Sequence, residues 1–330
     1  MIIKNYKTSL IVSALCLLIF SCKENSEPIE VTTDNFHTAI DKVVDVMIHD
    51  IFSPPVASRV FVYPNIAAYE ILALNDSSYH SLKNQIKHLE AIPSPNPAKK
   101  INYPLAAIIA HLNISKQLIF SEEKIEMYRD SLYNVWKAKN PREFNESKAY
   151  GLKVAAHITA WMNKDNYAQT RTMPKFSVDS QDESRWQPTP PSYMDGLEPH
   201  WNKIRPFFLQ SADQFKPQTH PPFSLEKDSQ FYKELLEVYE ISERITKKGD
   251  RSEEVAIAQF WDCNPYVSVT RGHFMFATKK ITPGAHWIGI VKIAAKNTNA
   301  NLMETVNAYT KTSLAIADAF ISCWDEKYRT

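Results

Sequence analysis

The sequence predicts an all-α protein, a packed multi-helix bundle crossed by one proline-rich extended strap. Apolar residues recur at steps of three and four along most of the chain, the spacing that lines one face of a helix. No segment sustains the strict alternation expected of a strand. Glycine is scarce, six in 330 residues, and none falls in a GxGxxG or GxxxxGK[ST] arrangement. That excludes the glycine-rich phosphate cradles and argues against a turn-rich β-sandwich. At 44% hydrophobic and 23% charged, the composition is that of a globular chain long enough for one large domain or two smaller ones. Its 38 basic and 37 acidic residues nearly cancel. No global field draws in nucleic acid, and partners must be recognised locally.

Residues 1–21 read as an export signal. Lys4 and Lys7 precede an apolar run from Leu10 to Phe20, about half of the roughly 20 residues that a spanning helix requires. Ile19-Phe20-Ser21-Cys22 resembles a bacterial lipoprotein signal, in which the cysteine is acylated and becomes the mature N-terminus. An ordinary secretory signal is the alternative. Acylation of Cys22 implies a partner, the lipid membrane, and a cell-envelope location, periplasmic or surface-exposed. Residues 22–34 then form a polar tether ahead of a helical domain spanning 35–330. Removing residues 1–21 leaves 36 basic against 37 acidic residues. Of the four cysteines, Cys263 and Cys323 remain in an oxidising compartment. Two buried thiols are the favoured reading, one disulfide the alternative.

The helices follow in order. Phe36, Ile40, Val43, Met47 and Ile51 form the first stripe, which stops at Ser53-Pro54-Pro55. A second stretch runs from about Val56 to Leu74, and Pro64 is expected to kink or divide it. Leu105, Ile108, Leu112 and Ile119 mark a third. Ser121 reads as an N-cap, with Glu122 and Glu123 facing the helix dipole ahead of Ile125, Tyr128, Leu132 and Val135. Val154, Ile158 and Trp161 give a further face. From residue 174 to 222 the texture changes: nine of the twenty prolines fall there, without a sustained period but with many aromatics. This is the strap, held over the surface rather than floppy. Phe231, Leu235, Val238, Ile241 and Ile245 resume the helical pattern, Ser252 caps another helix, and the stretches 287–295 and 302–324 close the chain.

Few residues suggest chemistry on their own. Ten histidines include no HExxH or equivalent spacing, so no metal site is predicted. His111 and His157 border apolar stripes and read as hydrogen-bonded core histidines. His49 and Asp50 could form an acid–base pair, but adjacent helical residues face apart. Arg271-Gly272-His273 and Pro283-Gly284-Ala285-His286-Trp287 combine cationic donors with glycine, as an oxyanion site would, yet a Gly-His turn entering a helix is also a common structural feature.

Several stretches together carry a resemblance. They are Ser53-Pro54-Pro55-Val56-Ala57-Ser58-Arg59 with Ala67-Ala68-Tyr69-Glu70, Trp186-Gln187-Pro188-Thr189-Pro190-Pro191, and Leu197-Glu198-Pro199-His200-Trp201 with Arg205-Pro206-Phe207. Phe260-Trp261-Asp262, the Pro283–Trp287 run and Cys323-Trp324-Asp325-Glu326-Lys327-Tyr328 follow in register. From about residue 35 onward the chain resembles the N-terminal helical part of bacterial vanadium-dependent haloperoxidase-related proteins, within the type 2 phosphatidic acid phosphatase and haloperoxidase superfamily. The resemblance implies the first half of that helical fold. In complete relatives it implies bound vanadate or phosphate, with peroxide-dependent halide oxidation or phosphomonoester hydrolysis. The superfamily's site is built from a Lys separated by six residues from Arg-Pro, a Pro-Ser-Gly-His, and a Ser-Arg followed by His. Lys327 matches the first position, a candidate oxyanion-binding lysine, and the sequence ends three residues later. Pro283-Gly284-Ala285-His286 imitates the second motif from the wrong side of Lys327.

A tetrahedral oxyanion needs several convergent donors, and one exposed lysine gains little from it in water. The expectation is therefore a chain that binds no vanadate and is inactive alone. An exposed apolar surface is expected beside the helix from Leu302 to Lys327, available to a complementing polypeptide or a second copy. A non-catalytic surface lipoprotein, acting as a binding or scaffolding module, is the alternative function.

Overall fold

The structure is a computed structural model that describes residues 27–190, 193–248, 252–262, 266–271 and 274–330. The export signal, Cys22 and Cys263 lie outside the described residues. Ten α-helices are described: α1 (Thr33–Asp50), α2 (Pro54–Ala73), α3 (Tyr103–Ser115), α4 (Glu122–Lys139), α5 (Pro141–Met162), the single turn α6 (Tyr167–Thr170), α7 (Gln230–Lys248), α8 (Glu253–Trp261), α9 (Pro283–Asn297) and α10 (Leu302–Arg329).

Helix α2 is the hub. Every residue from Pro54 to Leu72 is buried, and α3, α5, α9 and α10 pack around it. Its sequence, rich in β-branched and aromatic residues, is a modest helix former. Full burial of Val60, Phe61, Ile66 and Ile71 contributes about 1.5–3 kcal/mol per side chain, which overrides that weak preference. The same packing keeps α2 continuous through Pro64, where the sequence predicts a break. Around the hub, α3 lies close against α5 because Gly151 lets the backbones meet: a Cβ there would stand 2.6 Å from the Ala106 carbonyl oxygen.

Other expectations are corrected. The described part of the tether is docked: Ile29 is buried, its N–H donates to Glu143 Oε2 (2.9 Å) and its carbonyl accepts from Asn102 Nδ2 (2.8 Å). Helix α1 already begins at Thr33, where Thr32 and Asn35 form a reciprocal capping box. Two antiparallel strands appear where none was expected, β1 (Tyr266–Arg271) and β2 (Phe274–Lys279). Val267 and Val269 alternate with Ser268 and Thr270, a period-2 signal too short to stand out among helical segments.

The strap departs from α6 and returns over the bundle. It contributes Trp201, Ile204 and Phe207 to the core, with Phe207 against Tyr63 (5.6 Å between ring centroids) and Trp161 (6.0 Å). Helix α7 is different. It has the sharp apolar stripe read from sequence, yet none of its side chains is buried.

Candidate functional site

Lys327 lies in the last turn of α10, and the strap builds its surroundings. Asn301 caps α10 reciprocally with Glu304, and Val306, Tyr309, Ala317, Ile321 and Trp324 bury one face. The polar flank then ties down the strap. The Asp318 carboxylate accepts three successive backbone N–H groups, from Phe207 (2.7 Å), Phe208 (2.7 Å) and Leu209 (3.1 Å). Trp324 Nε1 and the Tyr328 hydroxyl both donate to the Leu197 carbonyl, at 2.9 and 2.7 Å, and Asn202 donates to Asp325 (2.8 Å). The bonds to the Asp318 and Asp325 carboxylates are charge-assisted, about twice as strong as neutral ones. They fix an otherwise irregular segment against the end of the helix.

Between strap and helix runs a groove of about 710 Å³, walled by Leu209, Phe215, Pro217 and Ala319 and closed by Cys323 and Lys327. This is the apolar surface expected beside α10. Its donor set does not fit a tetrahedral oxyanion. Lys327 is the one cation among the lining residues, and the carboxylates of Asp318 and Glu326 line the same groove. The ammonium sits 4.3 Å from the Trp324 ring centroid, a cation–π contact that holds it without aiming it at convergent N–H groups. Cys323 is exposed and has no disulfide partner among the described residues, which corrects the buried reading: it lies on the groove side of α10. Among the described residues no cluster of three or more His, Cys, Asp or Glu side chains is arranged to hold a metal ion.

The remaining sequence candidates fall elsewhere. His111 is fully buried, as expected for a core residue, and burial pushes its pKa down to about 3. Neither ring nitrogen has a partner among the described residues, so it is a neutral packing residue against Phe36 (5.2 Å), not a hydrogen-bonded one. His157 is half-buried rather than core and lines a surface cleft. His49 and Asp50 do meet, at 3.0 Å, because α1 ends there with Ile51 in the left-handed region (φ 56°). Asp50 accepts from Phe120 N–H (2.9 Å) and from both the N–H (3.0 Å) and hydroxyl (2.5 Å) of Ser121. It thus caps α4 from outside, whereas the Ser121 side chain makes no cap bond of its own. His286 and Trp287 are exposed in the first turn of α9. Arg271 ends β1, and Gly272 and His273 lie outside the described residues.

Local sequence patterns did not reveal a buried charge network on α2. Arg59 Nε donates to Asp165 Oδ2 (2.7 Å), and the Tyr63 hydroxyl donates to the same oxygen (2.7 Å). Tyr167 N–H satisfies Oδ1 (2.9 Å). Burial first, then the nearby Asp165 carboxylate, raises the Tyr63 phenol far above its ordinary value. The Arg59 guanidinium also lies 4.3 Å from the Tyr167 ring centroid. Arg59 and Asp165 are 106 residues apart, so no local pattern announces them. Beside this network, the bond from Arg205 N–H to the Asp165 backbone carbonyl (2.9 Å) and the Arg171–Glu198 ion pair tie down the strap.

No family model matches this chain, and no curated protein matches it. It is similar to a solved structure, a crystal structure of the first bacterial vanadium-dependent iodoperoxidase, with 63% sequence identity and a TM-score of 0.87. The match covers 92% of this chain and 71% of that one.

Proposed function

Because the chain belongs to the bacterial vanadium-dependent haloperoxidase family, we propose that it is the lysine-bearing helical part of an iodide-oxidising peroxidase system, held to the cell envelope by an acylated Cys22. Lys327 is its single contribution to an oxyanion pocket. The observation that carries this reading is its isolation: the surrounding groove has one cation, two carboxylates and apolar walls. A vanadate held there would lack convergent donors, so the chain alone binds none and turns over no substrate. The remaining donors come from another polypeptide segment seated on the apolar groove.

Purified chain, supplied with orthovanadate, peroxide and iodide, is expected to oxidise no iodide above the buffer rate, and to hydrolyse no phosphomonoester. Turnover abolished by Lys327→Ala would overturn the proposal. The membrane part is tested separately: Cys22→Ser is expected to release the protein from the membrane fraction. Among the described residues no helix is long and apolar enough to cross a membrane. The alternative, a non-catalytic scaffolding lipoprotein, draws support from α7 and α8, where Leu235, Val238, Phe260 and Trp261 stand exposed. It predicts a partner bound through those helices with the groove left open.

A further inference from the structure

A second cleft, of about 310 Å³, shares no residue with the groove beside Lys327. It opens between α5, the irregular segment after α2, and the strap. Helical spacing puts His157 and Trp161 on one face of α5, and Lys164 follows in the turn after it. His88 holds a left-handed backbone (φ 58°). Its neighbour Lys87 is pinned on both sides, its N–H donating to the Phe207 carbonyl (3.1 Å) and its carbonyl accepting from Trp161 Nε1 (3.1 Å). Arg205 enters from the strap, its N–H bonded to the Asp165 carbonyl (2.9 Å). The guanidinium lies 4.3 Å from the Trp161 ring centroid.

The arrangement is a surplus of donors without acceptors. A guanidinium has five N–H groups, and Arg205 uses two: one to the Trp161 carbonyl (3.1 Å) and one to the Tyr63 hydroxyl (3.4 Å). Its Nε–H is buried without a partner among the described residues. Among the described residues Arg205, Lys164, His88 and His157 have no carboxylate within 4.0 Å. Glu90 is the one acid lining the cleft. Donors from three separate chain segments thus face one recess, which is the requirement that the groove at Lys327 fails to meet.

We propose that this cleft binds a small phosphate-bearing anion, inorganic phosphate or a phosphate monoester. Arg205 and Lys164 supply the charge, the two imidazoles supply further N–H donors, and Glu90 opposes the anion and limits its affinity. The volume exceeds that of a lone phosphoryl group, leaving room for a small ester substituent. Nothing in this inference depends on vanadate or on Lys327.

The test is calorimetric titration of the full chain with inorganic phosphate and, separately, phenyl phosphate, at ionic strength fixed with sodium chloride. Saturable one-to-one binding is expected. Lys164→Met should weaken it about tenfold, the worth of one charge-assisted bond, and Glu90→Gln should tighten it. Lys153→Met, on an exposed position of α5 outside the cleft, should change nothing. Co-sedimentation of Cys22→Ser chain with phosphatidic acid vesicles, lost on adding Lys164→Met, would identify a lipid headgroup as the source; vesicle-independent binding would identify a soluble phosphate. Absence of saturable binding by either probe, or equal losses in Lys164→Met and Lys153→Met, would overturn the proposal.

Discussion

Replacing Asp165 with alanine removes the carboxylate oxygen shared by Arg59 Nε–H and the Tyr63 hydroxyl. Its carboxylate is 1% exposed and the Arg59 side chain 10%, so the lost partner is not replaced by bulk water. Breaking a buried ion pair from one side costs about 3–5 kcal/mol. The orphaned Tyr63 hydroxyl adds about 1–3 kcal/mol in isolation, but it shares the same oxygen as Arg59, so the two losses overlap. The Arg59–Tyr167 cation–π contact survives and offsets part of the penalty. The net expectation is about 4 kcal/mol. Urea unfolding followed by tryptophan fluorescence measures it, since Trp161 packs on Tyr63 (5.2 Å) and Trp201 on Tyr167 (6.0 Å). In a double-mutant cycle with Arg59→Met, the pair should lose about 2 kcal/mol less than the sum of the single variants. A loss below about 1 kcal/mol for Asp165→Ala, or simple additivity, would refute the reasoning.

Three further outcomes follow from the same physics. Asp318→Asn turns an amide NH2 toward backbone donors now bonded to a carboxylate; about 1–3 kcal/mol of local stability is lost, read as faster hydrogen exchange at Phe208 and Leu209. Gly151→Ala would gain about 0.5–1 kcal/mol in an open helix, but the 2.6 Å approach to the Ala106 carbonyl reverses the sign, and thermal unfolding should show a net loss of about 1–3 kcal/mol. The third concerns pH. Burial opposes ionisation of Asp50, but bonds from Ser121, His49 and Phe120 outweigh it and hold the carboxyl below its usual 3.8. A depressed folded-state value stabilises above 3.8 and is lost as pH falls through the folded value. Asp50→Asn should therefore destabilise at neutral pH, and the gap from the parent chain should close only below about pH 4, as acid titration of unfolding free energy would show.

The helical class was legible because apolar spacing is a local property, and residues such as Phe36, Ile40 and Val43 each report their own burial. What lay out of reach was long-range or competitive. Pro64 signals a break locally, and only full burial of α2 shows why the helix persists. Asp50 and Ser121 are 71 residues apart, so the true cap of α4 carries no sequence signature. The Val267–Thr270 alternation was present but too short to outweigh helical neighbours. Helix α7 reverses the lesson: its stripe from Phe231 to Ile245 is plain in the sequence, yet periodicity states only that a face wants covering. Lys327 was legible through the resemblance, and its isolation became physical once the groove showed Asp318 and Glu326 where further cations would be needed.

Titrating orthovanadate with the purified chain and following the vanadium-51 resonance tests this isolation most directly. The account predicts that the free-vanadate signal persists without saturable loss and that Lys327→Ala behaves like the parent chain. A stoichiometric bound resonance in the parent, gone in Lys327→Ala, would contradict it.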